Sequence, residues 1–109
     1  MTFHVTLATP DKVFFDGPAT EAVCPGIKGL FGVLARHASM MTALTTGILK
    51  VQGESQEHYF VVDGGMVEVG ADRLDLLADA VIPASGAADA EQKFEELKAS
   101  RPEPVRRLS

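Results

Sequence analysis

A mainly β fold, an N-terminal β-sandwich of short, mostly antiparallel strands followed by one short C-terminal helix, is what this sequence predicts, on three observations. Phe3, Val5 and Leu7 alternate with His4, Thr6 and Ala8, the period of a strand with one buried face. Turn formers then recur every few residues almost to residue 80, the spacing of a sandwich or barrel. Beyond Pro83 and Gly86 the apolar period lengthens to that of a helix.

Taken in order, residues 3–8 are followed by extended segments at 13–15, 20–24, 31–34, 47–52, 58–62, 66–69 and 73–78. Their separators are Pro10-Asp11, Gly17-Pro18, Pro25-Gly26, Gly53-Glu54, Asp63-Gly64-Gly65 and Gly70-Ala71-Asp72. Pro25-Gly26 suits a type II turn, proline presetting φ and glycine taking φ > 0. Gly29 and Gly32 bracket Leu30-Phe31, which predicts a bend or bulge from which two large side chains project together. Residues 81–86 close the strand series. Ala87, Ala90, Phe94 and Leu97 then form a narrow helical stripe, with a capping box at Asp89-Ala90-Glu91-Gln92. The prolines of Arg101-Pro102-Glu103-Pro104 predict a frayed or extended basic tail. The expected organisation is a sandwich domain over 1–82 and a linker, short helix and tail over 83–109.

At 109 residues the chain has room for one modest core. Residues 1–100 carry seven Lys/Arg against fourteen Asp/Glu, a net −7, and residues 101–109 carry +2. A body of that sign excludes nucleic-acid binding by counterion release, which needs clustered cations. The single cysteine, Cys24, has no internal disulfide partner and sits in an apolar strand, where a small buried side chain is expected. A basic segment with an apolar h-region is missing at the start, and no apolar run reaches membrane-spanning length. Membrane association is therefore expected only through a partner.

Catalytic, cofactor and metal residues are all expected to be absent. His4, His37 and His58 fall in no metal-ligand spacing, and Ser39 near His37 lacks a nucleophile elbow. Gly26-x-x-Gly29-x-x-Gly32 is neither a dinucleotide fingerprint nor a P-loop, and extended sequence follows it instead of a helix. Asp72, Asp75 and Asp79 read as solvated surface charge.

The run Val23-Cys24-Pro25-Gly26-Ile27-Lys28-Gly29-Leu30-Phe31-Gly32-Val33-Leu34-Ala35-Arg36-His37-Ala38 carries a resemblance. So do Thr9-Pro10-Asp11-Lys12 with Phe14-Phe15-Asp16-Gly17, Gly64-Gly65-Met66-Val67-Glu68-Val69, and Leu77-Ala78-Asp79-Ala80. In this order they resemble the epsilon-subunit family of rotary F-type ATP synthases, over residues 3–80. The resemblance implies a noncatalytic rotor subunit of the central stalk, coupling rotation of the gamma subunit and the membrane ring to ATP synthesis. It implies a peripheral place on the cytoplasmic face of a bacterial plasma membrane. The candidate partner-binding residues are Gly29, Leu30, Phe31, Arg36, His37, Met40 and Met41. His37, at the family's GHAP position, is read equally as a rotor contact and as a loop-fixing hydrogen-bonder. The two methionines are read as interface anchors or as core filling.

Three departures bear on what transfers. Ala35-Arg36 and Ser39 replace the usual prolines and glycine around the histidine, and Leu30 replaces an often acidic residue. Residues 81–109 hold one short helix where the family has a two-helix hairpin, and Ala88-Asp89-Ala90-Glu91-Gln92 lacks the arginine of the ATP-binding motif. Weak or absent helix-mediated inhibition is expected, with the tail as a possible contact to catalytic subunits. The reading from another class is a small β-sandwich hydrolase or ligand-binding domain.

Overall fold

The alternation seen in the sequence becomes a ten-stranded sheet in the computed structural model, which describes residues 1–100. The strands are β1 (Phe3–Ala8), β2 (Val13–Ala19), β3 (Glu21–Gly26), β4 (Gly29–Leu34), β5 (Met40–Leu44), β6 (Gly47–Gln52), β7 (Glu57–Val62), β8 (Gly65–Val69), β9 (Arg73–Ala78) and β10 (Val81–Ala84), followed by α1 (Ala87–Ser100). They run in the order β10-β7-β6-β3-β5-β8-β9-β1-β2, with β4 joined to β3. Antiparallel pairing prevails, and β1 lies parallel to β9. The path folds over on itself. Phe15 of β2 reaches Phe60 of β7 edge-on at 6.2 Å, bringing opposite ends of the path together.

Every second residue of β1, β6 and β9 turns inward because the pleat points successive side chains to opposite faces. Val5, Leu7, Leu49, Val51, Leu74 and Leu76 fill the sandwich with Phe3, Val33, Leu44, Phe60 and Val67. Full burial of one such side chain is worth about 1.5–3 kcal/mol. Cys24 belongs to this core, and burial pushes its thiol up to about 12. It therefore stays protonated and acts as a small apolar side chain.

The structure corrects several local expectations. Pro25-Gly26 is the end of β3, and the hairpin turn is Ile27-Lys28. Gly26 is needed for another reason: a Cβ there would come within 2.8 Å of the Phe31 ring. Gly17-Pro18 lies inside β2 and Pro83 inside β10, both at the outer ends of the strand path, where a missing N–H breaks no ladder. β5 and β10 have no counterpart among the expected strands.

On the helix, Ala90 is fully buried, in keeping with the stripe, but Ala87 is exposed and does not join it. The capping residue also differs. Asp89 sits in the first turn and reaches back to accept the Ser85 N–H at 2.8 Å. That hydrogen bond, with Lys93 adding to it, holds the Asp89 carboxyl below its ordinary range. Its contribution is present above the ordinary carboxylate range and fades as pH falls through the depressed value. The helix packs beside β6, β7 and β10, and Val61 of β7 is buried outside the main core, as Ala90 is. The basic tail at 101–109 lies outside the described residues.

Candidate partner-binding surfaces

Two exposed regions each gather several large apolar side chains. The first is the β3–β4 hairpin. Its ladder runs from Glu21 opposite Leu34 to Gly26 opposite Gly29, and Gly29 closes it with φ of 128°. Leu30 is 72% exposed, and Ile27 and Leu34 are exposed beside it. Behind the hairpin runs a trough of about 510 Å³, floored by Val23, Pro25, Leu30 and Ile48 and bordered by Phe94 of α1.

The second region is the outer face of β5, β8, β9 and β1. Ala43 pairs with Met66, Met66 with Leu77 and Leu77 with Ala8, so one row across four strands is apolar. Met41, on the next row, stands opposite Glu68, which stands opposite Asp75. Met41 is 64% exposed and Leu77 53%. The charged band beside this patch is interlinked: Arg73 pairs with Asp75 and, at 3.7 Å, with Glu68, and His4 pairs with Asp16 across β1 and β2. Three acids against one arginine leave the band negative.

These geometries divide the sequence-derived candidates. Leu30 and Phe31 occupy adjacent strand positions and so face opposite ways: Leu30 points out, and Phe31 packs on the core across Gly26. They do not project together. Met40 and Met41 divide likewise, Met40 packing against the core and Met41 lying exposed. Both meanings of paired methionine, core filling and exposed surface, therefore occur side by side. Arg36 adopts φ of 65° and donates its N–H to the Ala71 carbonyl at 2.6 Å. His37 Nδ1 lies 2.7 Å from the Ala38 carbonyl, and its backbone N–H donates to Leu34 at 3.2 Å. Those bonds hold the turn between β4 and β5. Leu30 on β4 and Met41 on β5 are on strands that do not pair with each other, so the candidates form two surfaces.

Met66 and Leu77 were missed as surface residues by sequence reasoning. The signal that would find them is the strand phase: in β8 and β9 they occupy the outward positions, yet are apolar. The histidines, by contrast, stay apart. His4 joins Asp16, His37 the turn carbonyl, and His58 the Phe15 ring at 4.9 Å. Among the described residues no cluster of three His, Cys, Asp or Glu is placed to hold a metal ion. Nor is any described helix long and apolar enough to cross a membrane.

The fold thus defines a small β-sandwich with a single C-terminal helix. Residues 2–84 match the family model described as ATP synthase, Delta/Epsilon chain, beta-sandwich domain, and the chain belongs to that family. It is 39% identical over 100 residues to an ATP synthase epsilon chain of Prochlorococcus marinus, covering 90% of this chain and 74% of that one. To the epsilon chain of Rhodopseudomonas palustris strain TIE-1 it is 41% identical over 83 residues, 76% of this chain and 62% of the relative. Among solved structures, a chain of the Euglena gracilis mitochondrial ATP synthase, in an OSCP/F1/c-ring structure, aligns with a TM-score of 0.72 at 22% identity, covering 91% of this chain and 81% of that chain. A chain of the Tetrahymena thermophila central stalk/c-ring structure aligns at 0.64 and 16%, covering 92% and 91%. These two show likeness of fold.

Proposed function

We propose that this chain is a noncatalytic rotor subunit of a proton-translocating ATP synthase, bound to gamma and seated on the membrane ring. The observation that carries the reading is family membership over residues 2–84, which spans every strand. The exposed surfaces give it a physical basis. The Met41, Met66 and Leu77 face supplies apolar anchors beside a charged band, and the Leu30 hairpin supplies a second contact at another part of the molecule. Two separated contacts are what a subunit needs to hold gamma and ring in one rotating body. With Leu30 in place of an acid, the hairpin contact is apolar. The complex, and this chain with it, lies at the cytoplasmic face of a bacterial plasma membrane.

The same reading assigns 1–82 to assembly and 83–109 to an accessory segment. The α1 helix has 14 residues, about 20 Å at 1.5 Å per residue, and buries mainly Ala90. A helix this short is marginal without its packing on β7 and β10, so it is a docked element and not an extending latch. Helix-mediated inhibition and ATP sensing are therefore weak or absent, and any contact with catalytic subunits comes through the tail.

One experiment tests both parts. A synthase depleted of this subunit is reconstituted with the full chain or with a version ending at Ala84, and proton-driven ATP synthesis and ATP hydrolysis are measured. Both versions are expected to restore synthesis, with equal hydrolysis. Failure of the full chain to restore synthesis contradicts the rotor role. A large rise in hydrolysis with the short version, at intact assembly, makes the C-terminal segment an inhibitor.

A further inference from the structure

Strand β4 is a free edge: it pairs with β3 and with no other strand. Hydrogen bonds on the far side of β3 determine which β4 groups are left over. Thr45 N–H donates to the Pro25 carbonyl at 2.9 Å and Ile27 N–H to the Ala43 carbonyl at 3.0 Å. Odd-numbered residues at that end of β3 therefore aim away from β4, and Gly26, Cys24 and Ala22 aim toward it. Their opposite residues Gly29, Phe31 and Val33 complete the ladder, which turns the backbone groups of Leu30, Gly32 and Leu34 to the open side. The Leu34 carbonyl accepts from His37 N–H at 3.2 Å. The other edge-facing groups have no backbone partner among the described residues.

This edge has the form of a self-complementary strand. About Gly32 the side chains are symmetric in kind, with Leu30 and Leu34 outside and Phe31 and Val33 inside. A twofold axis at Gly32 sets Leu30 opposite Leu34 of a second copy and Gly32 opposite its own image, where the lack of side chains lets two backbones close. Residues 29–34 carry no charge, so two chains of net −5 meet there without facing acids. Exposed edges with apolar side chains are templates for pairing, and the usual safeguards of lysine or proline are missing from this strand.

We infer that β4 pairs antiparallel with β4 of a second copy about Gly32, joining free chains as a twofold dimer. A single strand pair buries far less than the roughly 1,200 Å² of a stable interface. Lys28 also falls near Arg36 of the second copy at each end of the ladder. The dimer is accordingly weak, with a dissociation constant on the order of 100 μM. Because Leu30 lies in the dimer edge, pairing and docking through Leu30 exclude each other, and self-association belongs to the chain outside its complex. The inference is read on the isolated chain and does not depend on the rotor assignment.

Sedimentation velocity of the full chain from about 10 μM to about 1 mM, with amide exchange by NMR at both limits, tests it. The expected result is a rise from the monomer mass of 11.6 kDa toward twice that value. Amide exchange should slow at Leu30, Gly32 and Leu34 as concentration rises, and a Leu30→Lys/Leu34→Lys variant should stay monomeric with an unchanged unfolding midpoint. A wild-type chain that remains monomeric throughout overturns the inference. So does a double variant that associates like wild type, or slowing confined to the Met41, Met66 and Leu77 face, which would place the contact there.

Discussion

Replacing Met41 and Leu77 together by lysine is expected to weaken binding to purified gamma subunit by at least about 30-fold, without loss of fold. Both side chains are more than half exposed, so their removal takes little from the core. Central apolar anchors are the residues whose loss costs an interface most, here expected at about 1 kcal/mol or more for each of the two. Lysine at 41 stands opposite Glu68 and finds a partner there in the free chain, which protects the isolated fold while disturbing the surface. The charged band is negative, so a partner presenting basic residues to it is repelled as well as deprived of apolar contact. Titration calorimetry against gamma, with circular dichroism of the free variant, is the check. Unchanged affinity would remove this face from the interface.

The second large effect is on stability. Gly65→Ala is expected to cost about 3 kcal/mol and lower Tm by about 15 °C. Gly65 opens β8 with φ of 126°, and a Cβ there meets the Leu77 carbonyl and comes within 2.7 Å of the Ala78 Cα. Both obstacles are backbone of the neighbouring strand, so the strand must shift. Gly32→Ala is the contrast. Its Cβ would meet nothing closer than the Ala22 carbonyl at 4.0 Å, and a change within about 0.5 kcal/mol is expected. Thermal unfolding of the two variants at low concentration separates these cases. Equal midpoints would show that β8 and β9 relax freely around Gly65.

These two positions also show where sequence reading succeeds and stops. In β1, β6 and β9 burial alternates without interruption, so the strand and its inner face are both legible. β5, Met-Met-Thr-Ala-Leu, has a weak alternation of its own and is made a strand by pairing with β8 across 25 residues of sequence. β10 contains Pro83, an ordinary breaker, and survives because it lies at the outer end of the strand path. The site follows the same division. Leu30 and Met41 are legible as surface because local apolar residues exceed what one inner face can take. Met66 and Leu77 join Met41 only through the registers of β5, β8 and β9, which no local pattern contains. Phe31 does not project beside Leu30 as expected, because β4 continues as a regular strand where a bulge was expected and turns the ring toward the core.

The most direct measurement of the central claim is affinity purification of the tagged full chain from solubilised membranes of its own cells, with the co-purifying proteins identified by mass spectrometry. The rotor account predicts recovery of gamma and the membrane-ring subunit in stoichiometric amount, reduced together by the Met41→Lys/Leu77→Lys variant. Recovery of the intact, folded chain without any ATP synthase subunit would contradict it.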